Sequence, residues 1–166
     1  MEDVITTRSG YERLQERLKK ALAAYDAVCA TNAHAAGDGD TSVWHDNFAY
    51  EHNQREMHKW ARQITDLKKI LARVRVISYP LAPSTVQVGA VIKLRDVNAN
   101  QEWRFEVAGY EDGDAEKKRI SYTAPLMKTI MGSGVGDEHE LFLGGKKRVV
   151  MIATIDRADD LKGETT

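Results

Sequence analysis

Three aspartates stand in one short glycine-containing stretch, Gly37 to Asp46, and carboxylates grouped in this way are suited to holding a hard cation. Asp38-x-Asp40-x-Ser42 opens like a calcium loop, but valine and alanine stand where such a loop needs its glycine and its closing glutamate, so a calcium loop is excluded. The histidines of the region lack the i, i+4 spacing of a helical zinc pair. The other interpretation of the aspartates is a solvated turn, with Asp46 capping the next helix.

The same stretch carries an aromatic side chain and lies at a change in charge. Trp44, together with Phe48, is suited either to stacking on a base or wedging into a partner, or to packing across the turn. Five acids oppose one base between residues 37 and 56, whereas six bases oppose one acid between residues 57 and 79. An acidic tip therefore passes into a basic stem, which either complements an acidic partner or is simply solvated.

Two long helices are predicted to position this stretch. Apolar residues recur at alternating spacings of three and four in residues 7–36, with Thr7 as the cap, and again from residue 50 to residue 74. The two seams are Tyr11, Leu14, Leu18, Ala21, Tyr25 and Val28, and then Tyr50, Asn53, Met57, Trp60, Ile64, Leu67, Leu71 and Val74. Such helices, joined by a short polar turn, are expected to pair as an antiparallel coiled-coil hairpin.

A second domain is predicted to begin near residue 80, where Pro80 and Pro83 end the helical pattern. Short strand-like runs follow, the last two flanking Gly144-Gly145 as a hairpin, and residues 125–131 suit one short helix that ends at Gly132. The predicted strands are residues 90–94, 102–107, 119–122, 140–143 and 148–155. The fold class is therefore α+β, a helical hairpin (1–79) with an antiparallel sheet domain (80–166).

The composition of the chain limits the classes of protein to which it can belong. The 166 residues are 42% hydrophobic and 30% charged, and no apolar run approaches the roughly 18 residues of a membrane-spanning helix. The N-terminus has no signal-peptide pattern, and the single cysteine, Cys29, cannot form an internal disulfide. We expect a cytoplasmic protein.

The order of these features resembles the Gre family of bacterial transcription elongation factors, which stimulate transcript cleavage. Three places carry the resemblance. Gly39-Asp40 and Asp46-Asn47-Phe48-Ala49-Tyr50 are similar to the family's Gly-Asp and Glu-Asn-x-x-Tyr at the hairpin tip. Ile120-Ser121-Tyr122-Thr123-Ala124-Pro125 looks like its Ile-Ser-x-x-Ser-Pro segment, and the Gly144-Gly145 hairpin resembles its last strand pair.

The resemblance implies a fold, a partner and a mechanism. The second domain would be FKBP-like and would dock on RNA polymerase through Thr123, Ala124 and Pro125, while the hairpin enters the secondary channel. The protein would be an accessory factor with no tightly bound cofactor, and a monomer. Asp38, Asp40 and Asp46 would share Mg²⁺ with the polymerase, Asp40 and Asp46 would stimulate cleavage, and Trp44, Asn47 and Tyr50 would contact the polymerase or nascent RNA.

One departure from the family pattern leaves the outcome open. The family's acids lie three residues apart, whereas Asp40 and Asp46 lie six apart, and aspartate replaces glutamate. The resemblance therefore implies either stimulation of cleavage or inhibition of the polymerase without cleavage. Two further hypotheses are an FKBP-like prolyl isomerase, which requires an aromatic-lined pocket in the second domain, and a pure interaction module, against which the full-length hairpin argues.

Overall fold

Two long helices form a hairpin in the first half of the chain, α1 (Arg8–Gly37) and α2 (Asp46–Leu71). The computed structural model describes residues 3–37 and 46–158, with the backbone alone for 32–37 and 46–49. Leu14 and Ala21 of α1 and Ile64 and Leu67 of α2 are buried, and the other described seam residues are half-buried except Tyr50. The predicted helical seams are therefore confirmed. In the described ranges, no helix is both long and apolar enough to cross a membrane.

The second helix ends earlier than its apolar pattern predicts. Helix α2 ends at Leu71, and Val74–Val76 forms a strand, β2, which pairs in parallel with an unpredicted strand at the start of the chain, β1 (Val4–Thr6). The prediction that the helix continues through Val74 to the prolines was wrong. Two of the three residues of β2 are β-branched valines, and cross-strand pairing with β1 outweighs the helical spacing.

A five-stranded sheet forms most of the second half. Its strands are β3 (Ala90–Asp96), β4 (Glu102–Ala108), β5 (Arg119–Ser121), β6 (Glu138–Leu143) and β7 (Lys146–Arg157), in the order β5-β4-β3-β7-β6. All neighbours are antiparallel except β4 and β5. The sheet is therefore mixed, and the prediction of a purely antiparallel sheet was wrong at this pair, because residues 109–118 carry the chain back before β5 begins.

A hydrophobic core lies between β3, β7 and one short helix, α3 (Pro125–Ile130). Its fully buried side chains include Ile92, Leu94, Ile152, Met127 and Ile130. Helix α3 begins with Pro125, whose missing N–H suits the first helical position, and the chain leaves the helix at Gly132 with a φ of +81°. Gly144 and Gly145 have φ values of +59° and +78°, which the tight β6–β7 hairpin requires. The predicted short helix and Gly-Gly hairpin are confirmed.

The chain divides into two compact units. Glu12–Arg73 forms one, and the described residues before and after it form the other, the sheet unit. The composition of the sequence changes near residue 80, whereas the boundary between the two compact units lies after Arg73. Strand β2 and the residues up to Tyr79 therefore belong to the sheet unit, although they precede the boundary predicted from composition. The first strand and the first turn of α1 thus belong to the sheet unit.

One buried carboxylate holds the start of α1 within the sheet unit. Asp112 is 0% exposed, and it accepts hydrogen bonds from the Thr7 N–H at 3.2 Å, the Thr7 hydroxyl and the Ser9 hydroxyl at 2.9 Å. Thr7 caps the helix as predicted, since its hydroxyl accepts from the Gly10 N–H at 3.3 Å. A methyl group at Gly10 would lie 2.8 Å from the Tyr110 carbonyl oxygen, so a glycine is required at this close approach.

We expect Asp112→Ala to destabilise the sheet unit by about 3 kcal/mol, because it removes the buried carboxylate that accepts hydrogen bonds from Thr7 and Ser9. Asp112→Asn, which keeps one acceptor oxygen, should cost less. Urea unfolding at neutral pH measures both changes.

The matched control is Glu116→Ala, which removes an exposed carboxylate only a few residues away. It should change the free energy of unfolding by less than about 0.5 kcal/mol. Equal losses for Asp112→Ala and Glu116→Ala would contradict an anchoring role for Asp112.

Candidate functional site

The residues predicted at the hairpin tip fall largely outside the described structure. Asp38, Asp40 and Trp44 lie outside the described residues. Asp46 and Asn47 are the first two residues of α2, and their side chains also lie outside the described part. Tyr50, one turn into α2, is 51% exposed. Among the described residues, no group of three or more His, Cys, Asp or Glu side chains is arranged to hold a metal ion.

The predicted docking residues are described, and they form one turn at the surface of the sheet unit. Ser121 ends β5. Its hydroxyl lies 2.9 Å from the Thr123 hydroxyl and accepts a hydrogen bond from the Thr123 N–H at 3.4 Å. The Ala124 N–H donates to the Ser121 carbonyl at 2.9 Å. Ala124 then precedes α3 in an extended conformation, and Pro125 is exposed. Thr123, Ala124 and Pro125 therefore lie together as one surface turn, which we call the Thr123–Pro125 turn.

Two neighbours fix the backbone on which this turn rests. The Tyr122 N–H donates to the Ala108 carbonyl at 2.8 Å, and the Tyr122 hydroxyl accepts from the Ile5 N–H at 3.1 Å. On the other side, Met127 and Ile130 of α3 are fully buried in the core. The turn is thus held between a strand and a packed helix, so its exposed groups are presented in one geometry.

A polar cluster that no motif in the sequence indicates holds the beginning of β5. Glu106 Oε1 accepts from Arg119 Nε at 2.9 Å and from the Tyr79 hydroxyl at 3.0 Å, and that hydroxyl accepts from Arg119 Nη2 at 2.7 Å. Burial raises the pKa of the Tyr79 phenol well above its ordinary value, and the nearby Glu106 carboxylate raises it further against the opposing effect of Arg119. No sequence pattern joins these residues, since Tyr79 and Arg119 lie 40 positions apart.

Comparison with known proteins relates both halves of the chain to one family. Residues 4–76 match the model described as "Transcription elongation factor, N-terminal", and residues 81–157 match "Transcription elongation factor, GreA/GreB, C-term". The chain is 31% identical over 159 residues to transcription elongation factor GreA of Phenylobacterium zucineum, covering 94% of this chain and 99% of that protein. It is 30% identical over 156 residues to GreA of Paracoccus denitrificans, covering 92% and 97%.

Two solved structures also match most of the chain. The crystal structure of GreA factor homolog 1 (Gfh1) of Thermus thermophilus is 21% identical, with a TM-score of 0.43 and coverage of 93% of this chain and 99% of that one. The GreA/GreB factor from Nitrosomonas europaea is 19% identical, with a TM-score of 0.41 and coverage of 94% and 99%.

The raised pKa of Tyr79 generates a prediction for alkaline pH. Above about pH 10, the ordinary pKa of tyrosine, the unfolded chain releases the Tyr79 proton while the folded protein retains it, so this contribution to stability falls as the pH rises. Tyr79→Phe should remove that part of the decline. The measurement is the free energy of unfolding at several pH values from neutral to strongly alkaline.

The control is Tyr50→Phe, which changes an exposed tyrosine and should leave the alkaline decline as in the wild type. If Tyr79→Phe follows the wild-type curve at every pH, the phenol of Tyr79 is not protected by folding.

Proposed function

The chain belongs to the GreA/GreB family of transcription elongation factors, and we propose that it binds RNA polymerase and regulates elongation with its hairpin inserted into the secondary channel. It acts as an accessory factor, so the polymerase's own active site supplies the RNA-cleaving chemistry. The observation that carries this proposal is the match of both family models, 4–76 and 81–157, to a chain that folds into a helical hairpin and a sheet unit. The protein acts in the cytoplasm as a monomer.

The docking surface in this proposal is the Thr123–Pro125 turn. Three features support it: the turn is exposed at Pro125, it is held by hydrogen bonds on the β5 side, and it is followed by a helix that buries Met127 and Ile130 in the core. A pre-organised turn loses little conformational entropy on binding, so its contacts contribute more of their energy to affinity. Hydroxyl and carbonyl groups of the turn can form directional hydrogen bonds with the polymerase.

The chemistry belongs to the hairpin tip. Asp38, Asp40 and Asp46 are the residues that would hold the weakly bound Mg²⁺ beside nascent RNA, with Trp44, Asn47 and Tyr50 contacting the surrounding elements. When bound, this ion stabilises charge on the reacting phosphate and activates water. The residues of the chain contribute two things: carboxylate oxygens as ligands, and a hydrogen-bond acceptor that orients the attacking water.

A second outcome, inhibition without cleavage, has its own observation in favour. Asp40 and Asp46 are six residues apart, and Asp46 is the first residue of α2, where a carboxylate is stabilised by the helix N-terminus whether or not an ion is present. If Asp46 stabilises the N-terminus of α2 instead of binding the ion, the tip occupies the secondary channel without completing the cation site. Whether the protein shortens the RNA 3′ end in a backtracked elongation complex separates the two outcomes.

The docking prediction uses Thr123→Ala with Pro125→Ala. Removing the hydroxyl and the ring should weaken polymerase binding about tenfold, equivalent to about 1.4 kcal/mol, while the hairpin stays helical. Fluorescence anisotropy of the labelled protein with purified polymerase measures the affinity, and circular dichroism measures the helix. The matched control is Thr154→Ala, which removes another threonine hydroxyl, on β7. Unchanged affinity of the double variant would contradict docking through this turn.

The tip prediction uses Asp40→Asn and Asp46→Asn, singly and together, on a stalled and backtracked elongation complex. Loss of a carboxylate that holds a weakly bound ion should reduce shortening of the RNA 3′ end at least about tenfold, and raised Mg²⁺ should partly restore it. Docking should persist, so the double variant still competes with wild type for polymerase.

Three results distinguish the alternatives. Cleavage by wild type that the double variant loses supports stimulation through the acids. No cleavage, with repression of ordinary RNA synthesis, makes the protein an inhibitor. If the variants equal wild type in both assays, the aspartates serve only as turn residues. Separately, absence of polymerase binding by the wild-type protein would overturn the proposed function itself.

A further inference from the structure

A shallow basin lies on the sheet unit where four segments meet. Val91 of β3 pairs with Glu106 of β4 on one side and with Asp156 of β7 on the other, and Glu106 in turn pairs with Arg119 of β5. The basin here has a volume of about 380 Å³ and is lined by Val91, Arg104, Phe105, Glu106, Lys117, Lys118 and Arg157. We call this surface the basic basin. It draws cations from two strands and a turn that are separate in sequence.

The basic basin carries an excess of positive charge. Its one carboxylate, Glu106, is already paired with Arg119, and Lys117 lies 3.9 Å from Asp114. Among the residues that the structure describes, no carboxylate lies within ion-pairing distance of Arg104, Lys118 or Arg157. Three cations that have no carboxylate partner in the described part of the chain lie around one concavity and repel one another, and a bound anion relieves that repulsion.

Backbone hydrogen bonds hold the turn that supplies two of these cations. The Asp114 carboxylate accepts from the N–H groups of Glu116 and Lys117 at 3.1 and 3.2 Å. The Lys118 carbonyl accepts from the Glu106 N–H of β4 at 3.0 Å. The backbone of Lys117 and Lys118 is thus fixed against the sheet, while both side chains are exposed to solvent, where they can reach a ligand.

Phosphate is the anion that this set of donors fits best. Arg104 and Arg157 present planar guanidinium groups, which bind phosphate oxygens in pairs, and the lysines add compact charges. The volume lies at the small end of the range for small-molecule sites, so it suits a short chain of phosphates. We propose that the basic basin binds a di- or triphosphate group, either as free pyrophosphate or triphosphate or as the phosphate arm of a nucleotide.

Isothermal titration calorimetry of the 166-residue chain, without polymerase, tests this proposal. The ligands are pyrophosphate, tripolyphosphate, ATP and GTP in magnesium-free buffer, with sulfate as a weak anion and a single-stranded RNA of ten nucleotides as the macromolecular alternative. We expect triphosphates to bind, pyrophosphate to bind more weakly, and sulfate to bind much more weakly than either. Nucleotides that bind more tightly than tripolyphosphate identify the nucleotide as the source, and equal affinities identify the free phosphates.

The decisive variant is Arg104→Gln with Lys118→Asn and Arg157→Gln. Asparagine is chosen at Lys118 because the backbone there has a φ of +54°, which asparagine tolerates. Triphosphate affinity should fall at least about tenfold, since three charge-assisted contacts are lost. The matched control is Lys146→Gln, at the other end of the same strand as Arg157, which should bind as wild type does.

Three results would overturn the proposal: no measurable binding of any phosphate by wild type, equal loss of affinity in Lys146→Gln, or tighter binding of RNA than of triphosphate with the same variant sensitivity. The last result would make the basin a surface for a nucleic-acid backbone. Thermal unfolding of each variant shows that a loss of affinity is not a loss of fold. Because no polymerase is present, failure here leaves the proposed function intact.

Discussion

The arrangement of the sheet unit depends on the hydrogen bonds that the carboxylate of Asp112 accepts from Thr7 and Ser9. Asp112 lies in the connection between β4 and β5, yet the groups that it accepts from, Thr7 and Ser9, stand more than 100 residues earlier. It thereby closes a long loop of chain through a few hydrogen bonds that Thr7 and Ser9 donate to a fully buried carboxylate. With this contact in place, β1 pairs with β2, and the segments that precede α1 and follow α2 lie side by side in the sheet unit.

The close approach around Asp112 also explains two glycines. A methyl group at Gly10 would meet the Thr6 hydroxyl oxygen at 2.0 Å, and one at Gly109 would lie 2.7 Å from the Thr6 Cα. Thr6 itself is fully buried and donates to the Tyr110 carbonyl at 2.6 Å. The start of α1, β1 and the turn after β4 therefore touch backbone to backbone, which leaves no room for side chains at these points.

The sequence predicts best those features that local chemistry decides. The apolar seams of α1 and α2, Pro125 at the start of α3 and the Gly144-Gly145 hairpin follow from spacing and from backbone preferences of single residues. The strands β1 and β2 have three residues each, too few for a periodic signal, and the parallel β4–β5 pair depends on how residues 109–118 fold back. The resemblance implies docking through Thr123, Ala124 and Pro125 but not the turn that they form, whereas Asp112 and the Tyr79–Glu106–Arg119 cluster depend on contacts between distant residues.

The proposed function assigns docking and chemistry to different parts of the chain, and this separation affects how the tip aspartates are interpreted. Asp46 begins α2, where any carboxylate gains about 0.3–1 kcal/mol from the helix N-terminus. Its replacement therefore changes the helix start as well as any cation site. Asp40 stands six residues before α2 in the sequence and is not part of the first helical turn, over which that effect acts. An activity that depends on Asp40 as strongly as on Asp46 consequently reports a ligand role, and one that depends on Asp46 alone reports the shape of the tip.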